Sequence, residues 1–171
     1  MRNKKLRIMV FSAMLIAVEI LLNRFLSINT MGLKIGFSFV PIVVAAVLFG
    51  PWVAGTVYAV ADLLGAVLFP IGPYFPGFTV CAFAMGVIYG AFLFQKENPR
   101  FLTRILPPVL INCLIFGLLV NTAWVSILYG SKTYFGWFFY RLPEYLVLIP
   151  VSAVLIPVLV RMCGILKKRL K

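Results

Sequence analysis

Residues 37–79 read FSFVPIVVAAVLFGPWVAGTVYAVADLLGAVLFPIGPYFPGFT, and Asp62 is the one charged residue in the stretch. Two apolar runs, residues 37–49 and 53–69, are parted by Gly50-Pro51 and closed by Pro70, Gly72, Pro73 and Pro76. Proline lacks the backbone donor a helix needs and clashes with the preceding turn, so these positions end helices. The second run approaches the roughly 20 residues that cross a bilayer as a helix, whereas the first is short for a full span.

The same reading extends in both directions. A first helix is expected over about residues 6–26, followed by a polar, glycine-containing stretch from Ser27 to Gly36. Downstream, helices are expected over about 77–94, 105–129 and 137–166. The fifth tolerates Pro107 and Pro108 in its first turn, and the sixth is expected to bend near Pro150 and Pro157. Gln95 to Arg100 and Gly130 to Gly136 are the intervening turns. The first apolar run sits behind Arg2, Lys4, Lys5 and Arg7 like a signal peptide, but it lacks a small-x-small cleavage site and reads as a retained helix.

Of the 171 residues, 63% are hydrophobic and only 12% charged, against roughly 25% charged in soluble domains. Six spans and short loops therefore account for the whole chain as a single transmembrane domain, residues 1–171, with no room for a soluble one. The net charge of +12 is not read as a nucleic-acid footprint, because in a membrane protein excess Lys and Arg orients the chain. With both termini cytoplasmic, the inner flanks hold Arg2, Lys4, Lys5, Arg7, Lys96, Arg100, Arg104, Arg161, Lys167, Lys168, Arg169 and Lys171. The other basic residues, Arg24, Lys34, Lys132 and Arg141, fall at outer helix ends or loops. No internal repeat is visible, which gives little support to inverted-repeat transporters.

Several chemistries are excluded. Without histidine there is no imidazole base, His-ligated zinc or Ser-His-Asp triad. Four carboxylates in all argue against an enzyme, and no cofactor or metal site is expected. Cys81, Cys113 and Cys163 lie far apart in apolar runs without a CxxC pair and read as small core or lipid-facing residues. Gly50 to Thr56 has the glycine spacing of a phosphate loop but no Lys before the Thr. Any ATP that drives this protein must be hydrolysed by a partner.

The polar residues cluster on this topology. Glu19, Asn23 and Arg24 fall in the outer half of the first helix, Tyr58 and Asp62 near the middle of the third, Asn121 and Trp124 in the outer half of the fifth, Arg141 and Glu144 at the outer start of the sixth. An ionised group at membrane depth costs about 2.5 to 3.5 kcal/mol on insertion scales, and a polar cavity opening outward explains several at once. Arg24 and Arg141 suit carboxylates, because a guanidinium fork pairs with them bidentately. Asp62 and Asn121 suit the N–H edge of a heterocycle. Tyr74, Phe75, Trp124 and Tyr134 are the aromatics placed to stack on a ligand. Structural readings stand beside these: Arg141 can pair with Glu144 three residues on, Arg24 can snorkel to headgroups, Asp62 can bond between helices, and Glu19 with Asn23 form an i, i+4 pair. Small residues form two stripes, Ala13 with Ala17 and Ala82 with Gly86 and Gly90, which permit close helix packing.

Phe37-Ser38-Phe39-Val40-Pro41, Leu48-Phe49-Gly50-Pro51-Trp52 to Gly55, Ala61-Asp62-Leu63-Leu64-Gly65 and Phe69-Pro70-x-Gly72-Pro73-Tyr74-Phe75-Pro76-Gly77-Phe78-Thr79 resemble the substrate-binding S components of energy-coupling factor vitamin transporters. Asn23 to Ile28, Asn121-Thr122-x-Trp124 and Arg141 with Glu144 extend the resemblance and point, with the Pro-Tyr-Phe-Pro-Gly piece, toward the folate-specific members. The resemblance implies an all-α, six-helix integral membrane protein in the bacterial plasma membrane that binds folate or a reduced folate facing outward. It implies a gate built from the loops after the first and third helices. It further implies that Ala13 and Ala17 dock on a transmembrane T component, itself coupled to two cytosolic ATPases, and that the protein topples in the membrane to release substrate. An S component for another planar vitamin and a non-transporting membrane scaffold are the competing readings.

Overall fold

Glycine and proline divide the chain into helices in the computed structural model, which describes residues 2–30, 33–70, 72–94, 101–130 and 133–169. Helix α1 spans Arg2–Arg24. A narrow antiparallel ribbon follows, β1 (Ile28–Thr30) paired with β2 (Leu33–Ile35) in the register Ile28 to Ile35. The sequence predicts only a polar, glycine-containing stretch over Ser27 to Gly36; two runs of three residues carry too little periodicity to show as strands. Helix α2 covers Phe39–Phe49. Gly50 ends it with φ 95°, its N–H donating to the Ala46 carbonyl at 3.2 Å, and at once precedes α3, Pro51–Leu68. That φ favours glycine, and Pro51 in the first turn gives up no hydrogen bond. Pro76 opens α4, Pro76–Leu93, in the same way.

Helix α5 is one rod over residues 101–129 with alternating geometry: π over Phe101–Ile105 and Ile111–Val120, α over Leu106–Leu110 and Asn121–Tyr129. Pro107 and Pro108 remove two donors inside this rod, and wider turns relieve the clash with the preceding carbonyls. Gly130, with φ 55°, caps it. Helix α6 runs Tyr134–Arg169 and contains Pro143, Pro150 and Pro157. It starts within the expected loop because the Trp137 N–H already reaches the Thr133 carbonyl at 3.1 Å.

Five of these helices are long and apolar enough to cross a membrane, and α2 is a shorter apolar helix. The short helix is the centre of the bundle. It packs against α1, α3, α4 and α6, and Ile42, Val43, Ala45 and Ala46 are wholly buried. Leu6, Met9, Trp52, Val80, Leu102, Phe135 and Phe139 face outward, an apolar exterior that suits lipid and not water. Cys81, Cys113 and Cys163 are buried thiols.

The two small-residue stripes have different fates. A Cβ on Gly86 would lie 2.6 Å from the Ala54 carbonyl oxygen, and one on Gly90 would collide with Pro51. The α4 stripe thus brings the backbones of α3 and α4 together. Ala13 and Ala17 on α1 are exposed. Lys96, Glu97, Arg100, Lys132 and Lys171 lie outside the described residues, as do the side chains of Arg2, Lys4, Lys34, Lys167, Lys168 and Arg169.

Candidate functional site

The helices alternate in direction, so the end of α1, the start of α2, the end of α3, the start of α4, the end of α5 and the start of α6 share one side. Between them lies a cavity of about 330 Å³ to which all six helices contribute, at the lower end of the roughly 300–1,000 Å³ typical of small-molecule sites. Arg24, Asp62, Tyr74, Asn121, Arg141 and Glu144 all line it.

Arg141 and Glu144 are nearly inaccessible and form an ion pair, Nε to Oε2 at 3.4 Å. Arg141 also donates to Thr122 Oγ1 at 3.2 Å and to the Tyr145 hydroxyl at 2.8 Å, and its guanidinium lies 5.5 Å from the Tyr145 ring centre. Gly117 makes room for this, because a Cβ there would sit 2.5 Å from Tyr145 Cε1. Three of the nitrogen directions of a five-donor fork are therefore spent within the protein.

Arg24 is differently placed. Last residue of α1, it lies across Gly65 of α3, where a Cβ would come within 3.0 Å of its Nε. That Nε is buried without a hydrogen-bond partner, and among the described residues Arg24 has no carboxylate partner. Beside it, Asn23 Nδ2 donates to Glu19 Oε1 at 2.6 Å, the i, i+4 pair expected from the spacing. The Ser27 hydroxyl caps the helix end through the Asn23 carbonyl.

Asp62 accepts a hydrogen bond from Thr79 of α4 at 2.8 Å, and the Tyr74 hydroxyl lies 2.8 Å from the same Thr79 oxygen. Phe75 and Trp124 are not among the lining residues: their rings pack on each other, centroids 5.0 Å apart, over Gly77, where a Cβ would meet both. Tyr134 also stays outside the lining set, donating to the Leu119 carbonyl at 3.3 Å and packing near Phe138.

Tyr58, grouped with Asp62 from the sequence, lines the cavity, whereas sequence reasoning missed Tyr89, Asn112 and Tyr145 in the lining and Thr122 behind it. Asn112 carried a signal, as the one amide in the apolar run 105–120. The side-chain carbonyls of Asn112 and Asn121 are both buried without a hydrogen-bond partner. Among the described residues, no group of three or more Cys, Asp or Glu could hold a metal ion. Buried acceptors, an uncommitted guanidinium and tyrosine rings around one cavity suit reversible capture of a planar, anionic molecule carrying N–H donors.

The chain is similar to known proteins over most of its length. The family described as ECF transporter, substrate-specific component, matches residues 7–160. The folate transporter FolT of Clostridium novyi (strain NT) is 41% identical over 153 residues, covering 90% of this chain and 87% of that protein. FolT of Leuconostoc mesenteroides is 30% identical over 122 residues, 71% of this chain and 65% of that protein. A crystal structure of FolT bound with folic acid superimposes with a TM-score of 0.81 at 34% identity, covering 88% of this chain and 89% of that one.

Proposed function

The chain belongs to the substrate-specific components of ECF transporters, and on that premise we propose that it is a folate-binding member, a multi-pass membrane protein that captures the vitamin and is not itself an enzyme. The observation that carries the reading is a cavity walled by all six helices with an uncommitted guanidinium, Arg24, at its loop end. Folate offers what such a cavity lacks: a flat heterocycle with N–H donors, an aromatic linker and a glutamate tail with two carboxylates. The whole chain acts as one binding unit in the plasma membrane of a bacterium, both termini cytoplasmic.

In this reading Arg24 takes a tail carboxylate through charge-assisted hydrogen bonds. Asp62, Asn121 and Glu144 face the ligand's N–H groups, while Arg141 chiefly holds Glu144 and Tyr145 in place. Tyr74 closes over the ligand from the loop after α3. Phe75, Trp124 and Tyr134 frame the site and keep that loop and the start of α6 in position. Ala13 and Ala17, exposed on α1, dock on a transmembrane T component coupled to two cytosolic ATPases, and the protein topples against it to deliver folate inward. The test is the ligand that leaves with the protein: purification from membranes of cells grown on a vitamin mixture, followed by mass spectrometry. Folate or a reduced folate in near-stoichiometric amount supports the proposal; a different vitamin, or none, overturns it.

A further inference from the structure

We propose that Asn112, on the deep wall of the cavity, is a specificity-determining residue that accepts a hydrogen bond from an N–H of the ligand's heterocycle. Its amide has a fixed orientation. Nδ2 donates to the Met85 main-chain carbonyl of α4 at 3.1 Å, and a carbonyl can only accept, so the side-chain oxygen must point the other way. That oxygen is buried and has no partner, in a residue only 3% exposed. Buried acceptors are nearly always paired, and the exceptions call for an explanation. Asn112 lines the cavity together with Met85, Ser152 and Tyr89, whose side chain lies against the Asn112 amide; the side-chain oxygen is still left without a hydrogen bond, and a bound ligand is its natural partner.

The chemistry of that partner follows from position. Asn112 precedes Asn121 by nine residues on α5, which puts it on the order of 10 Å deeper along the rod, away from the end where Arg24 closes α1. An anionic tail drawn to Arg24 leaves the other end of the ligand at Asn112. A carboxylate has no proton to give this oxygen, whereas a 2-amino-4-oxopteridine presents an amino group and a ring N–H side by side. The π geometry of Ile111–Val120 serves the contact. Asn112 and Gly117, five residues apart, line the same cavity, so the turn that lets Tyr145 lie against Gly117 also turns Asn112 inward.

This inference rests on the folate reading, and its test separates the two. Affinities of the full-length protein in detergent are measured for folate, for pteroic acid, which lacks the glutamate, and for p-aminobenzoylglutamate, which lacks the pteridine, the last by competition. In Asn112→Leu the affinities for folate and pteroic acid should fall about 10-fold or more, as expected when a buried donor on the ligand loses its acceptor, while p-aminobenzoylglutamate is unchanged. Asn112→Ser, too short to reach, should give the same pattern and serves if the Leu variant does not fold. Equal losses for all three ligands would make Asn112 a structural residue, and unchanged affinity for folate and pteroic acid would remove it from the site; either result overturns the inference. Failure of the wild type to bind any of the three strikes the folate reading instead.

Discussion

Thr79 on α4 donates its hydroxyl hydrogen to Asp62 on α3 at 2.8 Å, and the Tyr74 hydroxyl reaches the same oxygen of Thr79 at 2.8 Å. One side chain thereby ties the loop between α3 and α4 to the single carboxylate of α3. The contact is at the rim of the cavity, where Tyr74 and Asp62 both line the wall, so the loop's position and the orientation of Asp62 depend on each other.

Removing the Thr79 hydroxyl without changing the side chain's shape should loosen that loop. Each such hydrogen bond is worth about 0.5–1.5 kcal/mol, so Thr79→Val should speed folate release roughly 5-fold, and Thr79→Ser should release at the wild-type rate. Stopped-flow fluorescence reads both. In hydrogen exchange, folate should protect the amides of residues 72–78 in the wild type and less in Thr79→Val. Unchanged release in the Val variant would show that the contact does not hold the loop.

Arg24 tests the tail. A charge-assisted hydrogen bond contributes about 1.5 to 3 kcal/mol, so Arg24→Ala should weaken folate roughly 10- to 150-fold and weaken pteroic acid, which keeps one benzoate carboxylate but lacks the glutamate's two, much less. Arg24→Lys should restore only part of the loss, because it keeps the charge and loses the fork. If pteroic acid suffers as much as folate, Arg24 is holding α1 against Gly65 and not the ligand.

Arg141 is expected to behave differently. Removing one partner of a buried ion pair strands the other, at a cost of about 3–5 kcal/mol, so Arg141→Ala should lower the melting temperature of the ligand-free protein. The double variant Arg141→Ala, Glu144→Ala removes the stranded charge and should melt higher than Arg141→Ala alone. A double variant that melts lower still would mean that Glu144 is stabilised chiefly by other contacts.

The reading of α1 predicts a separation of assembly from binding. Ala13→Val with Ala17→Val enlarges an exposed face without touching the cavity lining, so copurification with the T component and uptake should be lost while folate affinity persists. Parallel loss of affinity would place that face in the packing of the bundle.

The legible part of this molecule is what a bilayer penalises. Gly50-Pro51 and Pro76 announce helix ends because proline cannot continue a helix, and polar side chains such as Glu19, Asp62 and Arg141 stand out in apolar runs because each needs a partner there. The i, i+4 and i, i+3 pairs Asn23–Glu19 and Arg141–Glu144 follow from helical spacing alone. Contacts between helices do not: Thr79 with Asp62 and Thr122 with Arg141 are 17 and 19 residues apart, and nothing local specifies them. The π turns of α5 were equally hidden, since a 3.6-residue period gives no reason to place Asn112 and Gly117 on one wall. Phe75 and Trp124 show the converse limit, because an aromatic near a cavity satisfies its surface as well by packing on another ring.

The central claim is that this cavity selects folate. Equilibrium titration of the purified, ligand-free protein with a panel of folate, riboflavin, thiamine, biotin and pantothenate measures it directly. The account predicts saturable one-to-one binding of folate at least about 1,000-fold tighter than of any other compound in the panel, a difference of roughly 4 kcal/mol. Comparable affinity for a second vitamin, or no saturable binding of folate, would contradict it.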